Sequence, residues 1–310
     1  MVMKLKRRLE DRYDVELVGG LWHIGQSGED FSIDYYEKKS VRWKRRLHYH
    51  DFYELELVMS GSAFACINGM RFSLSRGMMF LVRPTDVHRY ELSEGERLRV
   101  CTLRFTSAYI EPGLMGALTA SGPLVADISE SFDFIAALLD DAKRDSVSPD
   151  CYTELLRRGI VNRLCAELVR RCTERVAEPE SKNRLASSAV DLIRRSFGER
   201  LTLASAAKRL GVTPNYLGRV FSENIGLTFG QYLKRVRLIF ALNMITNTDE
   251  TLQRIALDCG FSSQSVFARE FRNYYKKAPT ELRHGSKPNH LKNASAEDWL
   301  GSAAKGEITK

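Results

Sequence analysis

Two groups of polar side chains in the C-terminal third of the chain have the chemistry needed to bind nucleic acid. Amide, hydroxyl and guanidinium groups hydrogen-bond to base edges and phosphates when a helix that carries them enters the major groove. A hydroxyl residue that is predicted to begin a helix, Thr213 or Ser262, stands at the start of each group. The predicted DNA-facing residues are Thr213, Asn215, Tyr216 and Arg219 in the first group and Ser262, Ser263, Gln264, Ser265 and Arg269 in the second.

One sequence pattern, found over residues 201–224 and again over 251–273, positions both groups. Ala207 and Ala256 are small enough for a second helix to cross closely, and the glycine four residues after each permits the positive φ of a tight turn. A single match is weak evidence, because helical hairpins also occur without DNA binding. Two copies favour two helix-turn-helix units over a purely structural bundle. The matching positions are Gly211 and Gly260, Val212 and Phe261, Leu217 and Phe267, Arg219 and Arg269, and Phe221 and Phe271.

The segment between the two copies, residues 228–245, has the pattern of one long helix. A rigid connector would fix the separation of the two reading helices, and adjacent major-groove segments on one face of DNA lie roughly 34 Å apart. The sequence therefore predicts that one chain reads two consecutive groove segments. The predicted apolar face is Phe229, Leu233, Val236, Phe240 and Leu242, and the predicted phosphate contacts are Lys234, Arg235 and Arg237.

Positive charge is concentrated in the same part of the chain. Residues 182–283 carry 17 Lys and Arg against 8 Asp and Glu, whereas residues 1–181 carry 26 against 28. Because neutralising phosphates supplies most non-specific affinity for DNA, this asymmetry indicates a nucleic-acid-binding domain. A merely solvated basic face is the alternative that charge alone does not exclude.

Other classes of protein lack their sequence signatures here. There is no Gly-x-Ser-x-Gly, phosphate-binding loop or dinucleotide fingerprint, and the six cysteines show no zinc-binding spacing. The sequence contains no run of about eighteen apolar residues, so it predicts no membrane span. The basic residues 1–18 have no apolar stretch of a secretion signal behind them. We therefore expect a cytoplasmic protein that has no membrane association.

The first half of the chain changes from strand-like to helical patterns. Residues 30–105 contain short alternating runs, and the Asn68-Gly69 pair between two of them is a strong hairpin signal, so a small barrel or sandwich is predicted. Residues 130–178 then predict two amphipathic helices that are separated at 146–149. Their predicted apolar stripes are Phe134, Leu138, Leu139 and Ala142, and Leu155, Leu156, Ile160, Leu164, Leu168 and Val169.

The repeated unit and the phrase GFSSQSVFAREFRNYYKKAPTELR over 260–283, with its Pro279 turn, resemble the DNA-binding domain of the AraC/XylS family of transcription regulators. The resemblance covers about 100 residues and is specific. The family commonly has an aromatic residue at Val266, a glycine at Lys276 and a tyrosine at Leu282, so packing of the last turn is expected to differ. The resemblance implies a regulator that binds double-stranded DNA, forms a homodimer through the helices of 129–178, and contacts RNA polymerase if it is an activator.

Residues 47–90 resemble the cupin-type sensor domain that precedes this DNA-binding domain in many family members. The resemblance implies a barrel that binds a small effector or serves mainly as a dimer scaffold. The matching features are His48-x-His50, Glu54, Gly61, Asn68-Gly69, Gly77, Pro84 and His88, and the predicted effector pocket is His48, His50, Tyr53, Glu54, Arg83 and His88.

Three histidines and a glutamate are also, by resemblance, the ligand set of metal-dependent cupin enzymes, and such sites suit Fe(II), Mn or Zn. The alternative function is therefore a cupin metalloenzyme that uses His48, His50, Glu54 and His88. In regulators of this family these residues usually occur without metal, and fold is poor evidence for chemistry. We favour a pocket without metal or other cofactor, in a protein that is not an enzyme.

The predicted fold class is α+β. A cupin-like β-barrel with two flanking helices precedes an all-α domain of two helix-turn-helix motifs that are joined by a long helix. The predicted divisions are a sensor domain over 1–128, a helical dimerisation segment over 129–178, a polar linker over 177–183, a DNA-binding domain over 184–285 and a disordered tail over 286–310.

Overall fold

The structure is a computed structural model that describes residues 16–17, 30–39, 47–119, 122–172 and 181–283. The predictions for the rest of the N-terminal segment 1–18, for linker residues 177–180 and for the tail 286–310 lie outside the described residues. The strands are β1 Glu16–Leu17, β2 Phe31–Lys39, β3 His48–Tyr49, β4 Tyr53–Gly61, β5 Ala63–Ile67, β6 Met70–Leu74, β7 Met78–Val82, β8 His88–Glu91, β9 Arg97–Phe105 and β10 Leu124–Asp127. The helices are α1 Pro112–Thr119, α2 Phe132–Val147, α3 Thr153–Arg171, α4 Ser181–Ser196, α5 Leu203–Arg209, α6 Pro214–Ile225, α7 Phe229–Asn247, α8 Leu252–Asp258, α9 Gln264–Tyr275 and α10 Pro279–Leu282.

The N-terminal strands form two five-stranded sheets. One has the order β1-β3-β8-β5-β6 and the other β10-β7-β4-β9-β2, and every pairing except the parallel β1–β3 pair is antiparallel. The predicted hairpin joins β5 to β6, where Asn68 at φ 50° and Gly69 at φ 82° form the turn. Positive φ at both central residues matches the right-handed twist of the strands. The barrel-like part of the predicted fold is confirmed.

Alternate residues along the second sheet face two different cores. Leu55, Leu57 and Leu103 belong to the core beneath the helices, together with residues of α1, α2 and α3. Val58 and Val100 belong to the core shared with the first sheet. Successive side chains of a strand point to opposite faces, so the sheet separates a helix-covered side from a barrel interior.

Two helices follow the barrel, as predicted, and the chain turns between them at 148–152. The predicted register of the first apolar stripe is wrong in part. Ile135 and Leu139 are buried, whereas Phe134 is 54% exposed. In α3, Leu164 and Leu168 are buried but Leu155 and Leu156 are exposed. Each helix thus buries one narrow face and leaves apolar side chains on the other.

The C-terminal domain consists of α4 to α10, and its core includes the predicted inward residues Leu217, Phe221, Phe267 and Phe271. Helix α4 begins at Ser181, so the linker predicted over 177–183 is wrong for residues 181–183. None of the helices in the described ranges has the length and apolar character that crossing a membrane requires.

Candidate nucleic-acid interface and barrel pocket

The first helix-turn-helix unit is formed by α5 and α6. Gly211 has φ +70°, as predicted, and Thr213 caps α6 by accepting a hydrogen bond from the Tyr216 backbone N–H at 3.3 Å. Pro214 occupies the first turn, where its missing N–H has no helical partner to lose. Asn215 and Arg219 are exposed. The first reading helix therefore presents its polar face to solvent.

The second unit, α8 and α9, repeats this geometry with one difference. Gly260 has φ +75°. The helix cap is Ser263, which accepts from the Val266 backbone N–H at 3.2 Å, and not Ser262 as the sequence predicted. The extra residue in this turn moves the cap one position along the chain. Ser262, Ser263, Gln264 and Ser265 are exposed, and so is Arg269.

The three cations of α7 have different surroundings, and among them Lys234 alone is exposed. Lys234 is exposed and makes a 2.9 Å ion pair with Glu270 of α9. Arg235 is 3% exposed, donates to the Thr85 carbonyl oxygen and lies 3.6 Å from the centre of the Tyr49 ring. A guanidinium buried in this way is not available to phosphates, so that prediction is wrong for Arg235.

Arg237 also has a structural role. It is half-buried and donates to the carbonyl oxygens of Phe197 and Glu199, both at 2.8 Å, so it ties α7 to the turn after α4. Burial lowers the pKa of its guanidinium. With these donors engaged, the predicted phosphate contact is not supported for Arg237.

The barrel packs against the DNA-binding domain through the turn at 83–88. Asp86 is fully buried and receives Arg83 Nε at 3.1 Å and, from helix α4, Arg194 Nη2. Burial alone would raise the pKa of Asp86, but the charges of Arg194 and Arg83 outweigh it and hold that pKa well below its usual range. Leu47 and Val87 of the barrel are part of the DNA-binding domain's core. The two domains therefore share a buried interface.

Four of the six predicted pocket residues come together in the barrel. The His48 and His88 ring centres are 3.9 Å apart, those of His50 and His88 are 5.1 Å apart, and His50 Nε2 is 3.2 Å from Glu54 Oε2. His50, Glu54 and His88 are buried, with potential ligand atoms within 4.8 Å of one another. These three residues could hold a metal ion.

Two pKa values in this cluster lie well below the usual ranges of their groups, and the causes differ. Burial, with the neighbouring His48 and His50, holds the pKa of His88 well below its usual range, so its imidazole is neutral. Burial alone would raise the pKa of Glu54, but His50 and the Arg104 guanidinium outweigh it and hold that pKa well below the usual range. The cluster thus combines a neutral imidazole with an ionised carboxylate.

Tyr53 and Arg83, the other two predicted pocket residues, lie elsewhere. Tyr53 precedes Glu54 on β4, so its side chain lies on the opposite face of the sheet, where its hydroxyl is 3.4 Å from Met115 Sδ of α1. Arg83 donates to the Gly122 carbonyl oxygen at 2.8 Å. Both line a small cavity between the domains, together with Thr85, Arg194 and Asn243. Their assignment to the barrel pocket is wrong.

The structure adds polar residues to the barrel interior that the sequence analysis missed. Lys38 Nζ is 2.7 Å from Glu56 Oε1 and 3.4 Å from the centre of the Tyr90 ring, and Arg104 Nε is 3.6 Å from Glu54 Oε2. Strand alternation could have found Glu56 and Tyr90, because each lies two positions from a predicted pocket residue. Lys38 and Arg104 depend on strand register, which the sequence does not specify.

A barrel that encloses a cluster of polar side chains, packed on two helix-turn-helix units whose polar helix faces are exposed, defines a two-domain DNA-binding regulator. A family model described as an AraC-like ligand binding domain matches residues 30–157, and one described as a helix-turn-helix domain matches residues 206–285. The chain belongs to the AraC/XylS family of transcription regulators. This finding confirms the resemblance that was seen in the sequence.

Curated relatives match over most of their length. The HTH-type transcriptional activator RhaS of Pectobacterium carotovorum is 26% identical over 247 residues, which is 76% of this chain and 87% of RhaS. That of Escherichia fergusonii is 24% identical over 269 residues, 82% of this chain and 96% of the relative. These relatives are regulators, so the metalloenzyme alternative gains no support from them.

Among solved structures, fatty-acid-bound ToxT from Vibrio cholerae is similar at 13% identity and a TM-score of 0.36, over 84% of this chain and 98% of ToxT. The C-terminal domain of AraT, a response regulator from Geobacillus stearothermophilus, has 25% identity and a TM-score of 0.34, over 36% of this chain and 92% of that domain.

Proposed function

We propose that the chain reads two adjacent major-groove segments of its target DNA with α6 and α9, and that the barrel modulates this binding. One observation carries the proposal: both helices present exposed polar faces, while α7 between them is buried along most of its length. A buried connector holds the two reading helices in one fixed relation. Such an arrangement fits two major-groove segments that lie one helical turn apart.

Each proposed contact residue is assigned a role from its chemistry. Arg219 and Arg269 are proposed to read bases, since a guanidinium pairs with guanine O6 and N7 through two hydrogen bonds. Lys234 is proposed to contact a phosphate, its ion pair with Glu270 being exposed and easily exchanged. The remaining proposed contacts are Thr213, Asn215, Tyr216, Ser262, Ser263, Gln264 and Ser265.

Selection of bound duplexes from a random library tests this assignment. We expect two conserved blocks with centres about 10 base pairs apart. Arg219→Ala should relax preference at one block and Arg269→Ala at the other, each with a loss of about 1–3 kcal/mol.

Lysine variants separate base reading from phosphate contact. Arg219→Lys keeps the charge but cannot form two parallel hydrogen bonds to one base. If Arg219 reads guanine, the lysine variant should therefore lose affinity and base preference as the alanine variant does. Retained affinity and preference in Arg219→Lys would move Arg219 to the phosphate backbone. Unchanged preference at both blocks in the two alanine variants would contradict the proposal.

The relatives' names support transcription activation, which would require contact with RNA polymerase once the protein is on DNA. The polar barrel interior around His50, Glu54 and His88 supports binding of a small effector there. The proposed division of labour keeps the predicted boundaries: sensing over 1–128, dimerisation over 129–178 and DNA binding over 184–285.

Homodimerisation is proposed to use the apolar side chains that α2 and α3 leave uncovered. Phe134 is 54% exposed and Leu155 68% exposed, and an isologous pair of such faces would bury them. Leu155→Glu is therefore expected to shift the protein to a monomer in light scattering. Leu257→Glu, at an apolar residue that is 53% exposed on α8, is the matched control. A dimer that survives Leu155→Glu and Phe134→Glu together would rule out this surface.

A further inference from the structure

The second reading helix carries an acidic side chain between two of the proposed DNA contacts. Glu270 of α9 directly follows Arg269, and its Oε1 lies 3.5 Å from Arg269 Nη2. Its Oε2 accepts a hydrogen bond from Lys234 Nζ of α7 at 2.9 Å. One carboxylate therefore bridges a proposed base-reading cation and a proposed phosphate-contacting cation. A negative charge at this place opposes the approach of phosphates, so Glu270 does not act by attracting DNA.

Glu270 lies at the edge between the exposed face of α9 and its buried face. Arg269 before it is exposed, and Phe271 after it is fully buried. The side chains of Arg269 and Lys234 are 67% and 51% exposed, against 23% for Glu270. The two cations are thus open to a DNA partner, and the carboxylate that joins them is the more enclosed group. This placement favours an action on the two cations over a base contact of its own.

The matched position of the first unit shows that the helix-turn-helix fold does not require this acid. The residue after Arg219 is Val220, which is 1% exposed. Arg219 has a different neighbour, because its Cζ lies 5.6 Å from the centre of the Tyr216 ring, within the range of a cation–π contact. The matched arginine is therefore restrained by an aromatic ring in α6 and by a carboxylate in α9.

The ion pairs of Glu270 contribute little to folding, because pairs between exposed side chains are screened by water and cost side-chain entropy. Their effect on base reading is more direct. A guanidinium reads guanine through two parallel hydrogen bonds, which require one orientation of its plane. A side chain that is already restrained before it binds loses less rotamer freedom on binding. The carboxylate beside Arg269 supplies such a restraint.

Glu270 also lowers the net charge of the surface. The hydrogen bond from Lys234 lowers the pKa of the Glu270 carboxyl, and the charge of Arg269 adds to this effect, so the group is ionised at neutral pH. The three side chains then carry one net positive charge, whereas the two cations alone would carry two. Because attraction to phosphates is independent of sequence, the lost charge weakens binding to every duplex. The restraint on Arg269 favours only those duplexes that offer it a guanine.

We propose that Glu270 is a specificity-determining residue of the second reading helix, which positions Arg269 for guanine and lowers the affinity of the chain for DNA of unrelated sequence. This inference rests on the proposed function, because it takes Arg269 as a base-reading residue. Glu270 is a positioning residue in this scheme, since it acts through Arg269 and contacts no base itself.

The test uses the full chain and Glu270→Gln, which removes the charge and keeps one acceptor oxygen. In the selection of bound duplexes, base preference at the block read by Arg269 should fall at least about threefold, as expected for coupled side chains in contact. Preference at the other block should stay as it is. Affinity for a duplex of unrelated sequence should rise about threefold or more, with a steeper dependence on salt. A purely structural role would instead weaken binding to all duplexes.

Two further variants separate these effects from a general change of charge or of fold. Glu223→Gln removes the same charge from an exposed residue of α6 and should leave base preference at both blocks unchanged. Glu270→Val introduces the residue found at the matched position of the first unit, and should lose the same preference as Glu270→Gln. Circular dichroism and urea unfolding check that each variant is folded.

A double-mutant cycle with Arg269→Ala shows whether Glu270 acts through Arg269. In that background, Glu270→Gln should change base preference no further. A further change would mean that the carboxylate itself contacts a base, such as the amino group of cytosine, and would overturn the positioning role. Unchanged preference in Glu270→Gln alone would overturn it as well. Unchanged affinity for unrelated DNA would overturn the proposed effect of the charge.

The inference and the proposed function fail separately. If Arg269→Ala relaxes one block but Glu270→Gln alters neither base preference nor affinity for unrelated DNA, only the inference is refuted. If the unmodified chain selects no DNA, or Arg269→Ala leaves both blocks as they are, the proposed role of Arg269 is refuted first.

Discussion

Asp86→Asn is expected to lower the free energy of unfolding by roughly 3–5 kcal/mol, because it leaves two buried guanidinium groups without their carboxylate. Asp86 is fully buried, accepts from the Arg83 backbone N–H at 2.9 Å, and pairs with the side chains of Arg83 and Arg194. Asparagine keeps one acceptor oxygen, loses the charge and turns an amide N–H toward groups that are themselves donors. Urea unfolding followed by circular dichroism measures the difference.

A double-mutant cycle with Arg194→Met isolates the part of this loss that lies between the domains. Arg194 belongs to α4 and is 6% exposed, so its pair with Asp86 is screened little by solvent. We expect a coupling energy between about 1 and 3 kcal/mol. The exposed pair of Glu91 and Arg71 serves as the control, with an expected coupling below about 1 kcal/mol. A coupling for Asp86 and Arg194 no larger than that of the control would refute the idea that this contact joins the domains.

The low pKa of Asp86 predicts that the free energy of unfolding depends on pH. Arg194 and Arg83 hold the pKa of Asp86 well below its usual range in the folded protein, so the unfolded chain takes up a proton first as pH falls. The stabilisation is therefore present above the unfolded pKa, near 4, and is lost progressively below it. In Asp86→Asn this part of the loss of stability at low pH should disappear. If the free energy of unfolding of the variant fell with decreasing pH as steeply as that of the unmodified protein, Asp86 would not be its source.

Two further predictions use matched positions of the repeated unit. The residue that caps the C-terminus of α6 is Gly226 with φ +74°, and the one that caps α9 is Lys276 with φ +59°. In urea unfolding, Lys276→Gly should therefore stabilise the protein by about 1 kcal/mol, and Gly226→Lys should destabilise it by a similar amount. A loss of stability in Lys276→Gly would contradict the reasoning. The neighbours Lys234 and Arg235 should differ in the salt dependence of DNA binding: Lys234→Met should reduce the slope of log affinity against log salt by about 1, whereas the buried Arg235→Met should leave it unchanged. Equal slopes in the two variants would remove Lys234 from the backbone contacts.

The helix-turn-helix units were predictable from the sequence because their determinants are local. A small residue at the helix crossing, a glycine at positive φ and a hydroxyl cap all act within a few residues of one another, and Ala207, Gly211 and Thr213 occupy these roles in the structure. The one local error, the cap at Ser263, arose where the second copy has an extra residue in its turn.

The burial and hydrogen bonds of the cations on α7 were not predictable from the sequence, because they depend on residues far away along the chain. Arg235 is buried by Tyr49 and Thr85 of the barrel, and Arg237 is held by carbonyl oxygens of the turn after α4. Periodicity alone places both on a charged stripe. Tyr53 is a different kind of error, since adjacent strand residues face opposite sides and Glu54 had already been assigned to the interior.

The burial of α7 has a consequence for regulation. Most residues of α7 are enclosed by protein, although Lys234 is exposed. The helix packs with Phe221 and Phe271 in the core of the DNA-binding domain. It also contacts the barrel: Ser107 donates to Asn243 at 2.9 Å, and Arg235 donates to the turn at Thr85. The helix that fixes the relation of the two reading helices is therefore the helix on which the barrel rests. A shift of the barrel changes the packing of α7 directly, so control of DNA binding requires no separate relay through either reading helix.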